Sequence, residues 1–420
     1  MLDLRLNARI LTETPAAPVR AERRRAGAAP QQTEPPPADG PADGPDAGGA
    51  GPDGLALALE NLTAAEADCL TRHVASAGGT ATVLPKPGGA AGEAEIILAG
   101  ARGVLADLGT RLEQAPGEGP VLAREIVRAI ENHDRRRFRI RLGAHTLAVG
   151  PRPAVMGVLN VTPDSFSDGG RYLDPADAVA RAERLVAEGA DLVDVGGEST
   201  RPGSDSVPEE EELARVLPVV ETLASRLPVP ISIDTRHARV AREAARAGAG
   251  LINDVTGLMG DPAMPAAVAE TGAGCVIMHM LGEPKTMQQA PRYVNLMAEV
   301  ARHLRRGMQA AREAGVPEEA IVVDPGIGFG KTLAHNLELL ARLGQLRAIG
   351  APVLVGPSRK QFIGEVTGVE TPADRVPGTG AACALAVAAG ALLVRVHDVA
   401  EAVQAVAVAA AVRDADRQET

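Results

Sequence analysis

Short polar words rich in glycine punctuate the second half of this 420-residue chain, each after an apolar run. They begin at Asn160, Gly196, Asp234, Asn253, Met278, Asp324, Gly356 and Arg395. The reactive side chains in and beside them are Asn160, Asp194, Asp234, Asn253, His279, Asp324, Lys360, Arg395 and His397. No Ser-His-Asp order and no nucleophile elbow is present, and no second histidine stands four residues after His279. These types suit chemistry by position and charge stabilisation rather than covalent catalysis. The run Gly326-Ile-Gly-Phe-Gly-Lys331 invites comparison with a phosphate loop, but position 325 is Pro where that motif needs Gly. Its glycines are read as letting the backbone approach a ligand closely. Arg395 and His397 stand two apart at a strand end, so both can face one anion. Ser199, Thr200 and Arg201 could close its other side.

Elements of a repeating kind must position these words. Glycines at 189, 248, 272, 315 and 390 stop helical patterns and precede short aliphatic runs. That is the helix-to-strand junction of a parallel sheet. Asp174-Pro175 caps a helix start, and Val207-Pro208 precedes four glutamates suited to a helix N-terminus. Strands are expected at Ala154–Leu159, Leu192–Val195, Ile231–Ile233, Leu251–Ile252, Cys275–Met278, Ile321–Val323, Val353–Val355 and Leu392–Val394. Eight strands over this length predict a (β/α)8 TIM barrel across 141–415, with the words ringing its C-terminal face. A doubly wound open sheet is the alternative, but only its switch-point loops would converge.

Composition narrows the function further. The formal net charge of −11 argues against a general nucleic-acid role. Cys69, Cys275 and Cys383 lie far apart, which suggests neither a disulfide framework nor a zinc site and fits a cytoplasmic protein. Arg5 and Arg9 break the only apolar stretch at the N-terminus, so no signal peptide is expected. The longest apolar run, Ala381 to Val394, has 14 residues, too few to span a membrane. There are only four Phe and two Tyr, and Phe166, Tyr172 and Phe329 fall in or beside the words, which hints at a flat ligand.

Residues 1–53 are read as a disordered tail and linker, because Ala26 to Gly54 holds almost no large apolar side chains. Residues 54–140 show a β-α-β-β-α order followed by a further helix, a small α+β domain. The basic run Arg135 to Arg139 reads as a solvated face.

The stretch from about Leu147 to Ala411 resembles the dihydropteroate synthases. The resemblance is carried by Asn160-Val-Thr-Pro-Asp-Ser-Phe-Ser-Asp-Gly-Gly170, Gly196-Gly-Glu-Ser-Thr-Arg-Pro-Gly203, Asp324-Pro-Gly-Ile-Gly-Phe-Gly-Lys331, Ser358-Arg-Lys360 and Arg395-Val-His-Asp398. It implies condensation of 6-hydroxymethyl-7,8-dihydropterin diphosphate with 4-aminobenzoate, a step of folate biosynthesis open to sulfonamides. Asp234, Asn253, Asp324 and Lys360 would bind the pterin edge, with Asp324, Lys360 and Asp234 as the catalytic set. Arg201, Arg395, His397 and Asn160 would hold the diphosphate, and Asn160 would join Mg²⁺. Thr200, Pro202, Phe329, Ser358 and Phe166 would line the aminobenzoate pocket. The family also implies a homodimer. His279, between two methionines, reads as a structural histidine, and Asp194 as orienting Arg201 or a loop.

Two rivals stand beside this reading. A pterin-binding methyl transferase would share the Asp and Asn set but has no use for Arg395, His397 and Arg201. A non-catalytic pterin binder would have been favoured by loss of Asp324, Lys360 or Arg395, and all three are present.

Overall fold

The computed structural model describes residues 7–13, 54–85, 94–161, 175–198, 207–283 and 285–415. The chain divides into two compact units, a smaller one of Ile10–Val127 and a larger one that comprises Met1–Arg9 and Arg128–Thr420. The smaller unit is built on β1 (Asn7–Glu13), β2 (Gly54–Leu62), α1 (Ala64–Ala77), β3 (Thr80–Pro85), β4 (Ala94–Ala101), α2 (Arg102–Glu113) and the start of α3 (Gly119–Asp134). Its sheet runs β1-β2-β4-β3, with β4 antiparallel to both β2 and β3. Thr63 begins α1 with a reciprocal capping box to Glu66, and left-handed Gly78 ends it.

β1 corrects the expectation that all of residues 1–53 are an unstructured tail. Residues 7–13 form a strand whose Ala8 and Ile10 are buried; the rest of that segment lies outside the described residues. The expected boundary at 140 also moves. It falls inside β5 (Phe138–Leu142), which pairs with β6 (His145–Val149) as a hairpin. Phe138, Ile140 and Leu142 alternate with exposed arginines and pack in one core with Met156, Leu192, Leu251, Val276, Val322 and Leu393. The hairpin thus floors the barrel; within the run read as a solvated basic face only Phe138 is buried, while Arg135, Arg137 and Arg139 are exposed.

From β7 onward strand and helix alternate. The elements are β7 (Ala154–Asn160), α4 (Pro175–Ala187), β8 (Leu192–Gly196), α5 (Glu209–Arg226), β9 (Ile231–Asp234), α6 (Ala238–Arg246), β10 (Leu251–Asp254) and α7 (Met264–Thr271). They continue with β11 (Gly274–Met278), α8 (Leu296–Glu313), β12 (Ile321–Asp324), α9 (Leu333–Ala341), β13 (Leu354–Val355), α10 (Gln361–Thr367), α11 (Val376–Ala388), β14 (Leu393–Val396) and α12 (Val399–Ala415). The parallel sheet has the order β12-β11-β10-β9-β8-β7-β14-β13. A parallel bridge from Val323 to Val353 joins its two ends and closes the (β/α)8 barrel. The strands are buried on both faces, which explains their continuous aliphatic runs. Glu209 to Glu212 form the first turn of α5, as their charge against the helix dipole requires.

Candidate active site

Neighbouring strand ends bring together side chains distant in sequence. In register, Asp234 of β9 lies beside Gly196 of β8 and Asn253 of β10. Arg395 of β14 reaches across this group. Its Nε donates to Asp194 Oδ2 and its Nη2 to Asp234 Oδ2, each at 2.6 Å. Asn253 Nδ2 donates to the same Asp194 oxygen at 3.0 Å. The other Asp194 oxygen, Oδ1, is buried without a partner. A buried acceptor with no donor costs stability unless a ligand satisfies it. Gly196 leaves the strand end bare: a Cβ there would lie 3.7 Å from both Asn160 Oδ1 and Asp234 Cβ.

Asp324 ends β12 and Lys360 follows β13. Asp324 Oδ1 accepts from the Gly326 N–H at 2.7 Å. Lys360 Nζ donates to Ile327 O and lies 4.6 Å from the centre of the Phe329 ring. Arg359 before it adopts a left-handed φ of 56° and is fixed by its ion pair with Asp398 and by a bond from its N–H to Thr379 Oγ1. Such a conformation costs energy in a non-glycine residue and is held here by these contacts.

Burial dominates the electrostatics. It pushes the Asp234 carboxyl up, and Arg395 opposes the shift. It likewise raises Asp324, against the pull of Lys360. It lowers Lys360 to about 8, with Asp324 pulling back. Arg395 is held firmly cationic: burial disfavours its charge, but Asp194 and Asp234 outweigh that cost.

The glycines after β12 make room for neighbouring protein atoms. A Cβ on Gly326 would lie 1.9 Å from His279 O, and one on Gly330 2.5 Å from Leu281 O. They admit the backbone of the neighbouring β11 loop; Gly328 makes room for the Lys360 stem, 3.0 Å away. Lys331 completes the junction from within. It is 3% exposed, its Nζ lies 2.9 Å from His279 Nδ1, and it donates to Phe329 O at 2.9 Å. Tyr293 Oη donates to Gly330 O at 2.8 Å. His279 is buried, and that burial lowers its pKa. It serves as the structural residue expected.

The structure therefore gathers Asp234, Asn253 and Arg395 in one cluster, and Asp324, Lys360 and Phe329 in another. Arg395 is committed to two carboxylates, whereas His397 Nδ1 lies 2.9 Å from Ser358 Oγ and its N–H donates to that oxygen at 3.1 Å. Ser358 and His397, assigned to different ligands, are direct partners. Phe166, Thr200, Arg201 and Pro202 lie outside the described residues. Sequence reasoning missed Asp194 as the hub and Lys331 as the buried tie. The signal for Asp194 was a charged residue inside the apolar run Leu192-Val-Asp-Val195.

Comparison with known proteins extends this geometry. The family described as pterin binding enzyme matches residues 156–397, from β7 to the word after β14. The chain belongs to the pterin-binding enzymes. Within them it is 49% identical over 256 residues to the dihydropteroate synthase of Escherichia coli (strain K12), covering 61% of this chain and 90% of that one. The Xanthomonas albilineans dihydropteroate synthase with 4-aminobenzoic acid superposes with a TM-score of 0.61 at 50% identity, over 66% of this chain and 98% of that one. The same enzyme in complex with 7,8-dihydropteroate gives 0.59 at 47%, with the same coverage. The unit Ile10–Val127 lies outside the family match.

Proposed function

We infer that the chain condenses 6-hydroxymethyl-7,8-dihydropterin diphosphate with 4-aminobenzoate to give 7,8-dihydropteroate and diphosphate. The observation that carries this is the buried Asp194–Arg395–Asp234–Asn253 cluster, with one acceptor left open beneath a strand-end rim. A pterin edge offers amino and ring N–H donors to such carboxylates, and ring acceptors to Asn253 and Lys360. The relatives named for 4-aminobenzoic acid and 7,8-dihydropteroate support the same pair of substrates.

The roles follow from charge. As the C–O bond to diphosphate breaks, positive charge develops on the pterin methylene, and Asp324 stabilises it. The neutral amine nitrogen of 4-aminobenzoate forms the new C–N bond and then releases one proton to solvent. No strong base is required, because an aromatic amine is uncharged at neutral pH. The departing diphosphate is held by His397, Arg201 and Asn160, with Arg395 bordering it from the pterin side. Phe329, Ser358, Thr200, Pro202 and Phe166 form the aminobenzoate subsite. Lys360 serves both ends, since it touches the loop carrying Phe329.

Magnesium fits this arrangement. Asn160 is the last residue of β7 and its Oδ1 lies beside Gly196, and Mg²⁺ binds through one or two protein oxygens together with substrate phosphates and waters. When bound, the ion would neutralise charge on the leaving group. The homodimer is proposed for α11 and α12, which pack together and expose Leu385, Val408 and Val412, each more than 60% accessible. No helix among the described residues is long and apolar enough to cross a membrane. The cytoplasm is the compartment proposed, in line with three free cysteines.

The test is diphosphate release by the purified chain with Mg²⁺ and both substrates. Release that requires both, and that a sulfonamide suppresses, is the expected result. Pterin binding without release would instead favour the non-catalytic reading.

A further inference from the structure

Between β12 and α9 five consecutive carbonyls, Gly326 to Gly330, lie outside any strand or helix. All five accept hydrogen bonds from the protein. Gly326 O takes the Phe329 N–H at 3.1 Å, and Ile327 O takes Lys360 Nζ. Gly328 O takes Gln288 Nε2 at 2.6 Å, Phe329 O takes Lys331 Nζ at 2.9 Å, and Gly330 O takes Tyr293 Oη at 2.8 Å. The Gly328 N–H donates in turn to Asn336 Oδ1 at 2.7 Å. Loops commonly leave such groups to water. Here side chains from the segment between β11 and α8, from α9 and from the residue before α10 take them.

Lys331 and Tyr293 differ from the other donors. Lys331 is buried, and its acceptors are neutral: Phe329 O, His279 O at 3.4 Å and His279 Nδ1 at 2.9 Å. Burial pushes its pKa well down and keeps the His279 ring from protonating. Burying an amine costs desolvation that an apolar side chain of similar length does not incur. Its worth therefore lies in the contacts it makes. The Tyr293 ring stands edge-on to His335, with centroids 4.9 Å apart, and lies 5.9 Å from His279. Its hydroxyl is aimed by that packing and not only by the bond it donates. Gln288, by contrast, is exposed, and water can take its place.

We propose that Lys331 and Tyr293 are positioning residues that set the affinity of the aminobenzoate subsite. They act through the main chain of Phe329 and Gly330, which carries the half-buried Phe329 ring beside Lys360. The role rests on Phe329 lining that subsite in the reaction inferred above. A ring held in place before its ligand arrives has no ordering cost left at binding, so loosening it weakens the ligand packed on it. The pterin side is spared, because Asp324 and Lys360 keep their own partners, the Gly326 N–H and Ile327 O.

Tyr293→Phe and Lys331→Met are assayed by diphosphate release, with each substrate varied in turn. Each variant should raise the KM for 4-aminobenzoate about threefold to tenfold, the scale of one net hydrogen bond. The inhibition constant of a sulfonamide should rise in step, while the KM for the pterin diphosphate stays within about twofold. Tyr293→Phe removes a single oxygen and carries the test alone if Lys331→Met loses its thermal transition. Both KM values unchanged, or both raised together, would overturn the positioning role and leave the two side chains as supports of the fold alone. A fall in kcat with neither KM moved would do the same. A parent chain that itself releases no diphosphate is a separate result, and it would remove the inferred reaction together with this role.

Discussion

Asp324 and Lys360 have opposite charges and one environment, and burial works against the charged form of each. Asp324→Asn keeps the acceptor for the Gly326 N–H but removes the negative charge. The fold should survive and kcat should fall about 100-fold or more, the scale seen when a preorganised electrostatic group is lost. Diphosphate release and a thermal melt run together check it. Lys360, lowered to about 8, supplies the second expectation. Its charged form prevails below that value, so pterin affinity and turnover should fall as pH rises through about 8. Lys360→Arg stays protonated and should flatten that limb, whatever it does to the maximum rate. At this scale the sequence was a partial guide. Asp324, Lys360, Asn253 and Asp234 could be named because each ends or follows an apolar run. The pairing of Asp194 with Arg395 spans 201 positions, and no local pattern announces a partner that far away. The same holds for Lys331, whose neighbour His279 is 52 residues earlier.

Among the elements, the loops after β11 and β12 are packed backbone to backbone, with glycine as the condition. Gly326→Ala has φ of 69° to sustain as well as a carbonyl 1.9 Å from the new methyl group. It should destabilise the chain by about 3 kcal/mol or more and shift the Asp324 loop. A denaturation midpoint close to that of the parent chain would show that the loops part at little cost. The barrel strands were legible because glycine stops and aliphatic runs recur in a parallel sheet, and α1 (Ala64–Ala77) is the first helix of the β-α-β-β-α order read in residues 54–140. The β5–β6 hairpin was not. Its arginines masked the alternation of Phe138, Ile140 and Leu142, and what buries those three is a set of strands that come later in the chain. β1 escaped for a similar reason: a single strand is marginal until a sheet receives it.

For the molecule as a whole, the exposed aliphatic side chains on α11 and α12 make a prediction about mass. Leu385→Glu with Val408→Glu should shift a dimer toward monomer in light scattering while leaving the melt within a few degrees. Unchanged mass would remove that face from consideration. The barrel also has an uneven circumference. Most neighbouring strands share three to five registered pairs, but β12 meets the β13 side only through the Val323–Val353 bridge, with Val323 N–H donating to Pro352 O at 2.9 Å. β13 itself is two residues long. Asp324 and Lys360 stand on opposite banks of this thinnest join. Breathing of the barrel wall should begin there, and a pterin held by both residues would act as a staple across it. Amide exchange at Val323 and Val355 is then the place to see occupancy, as a slowing on ligand addition well beyond that at β8 or β9. The catalytic pair would double as a clasp, so that filling the site and tightening the wall are one event.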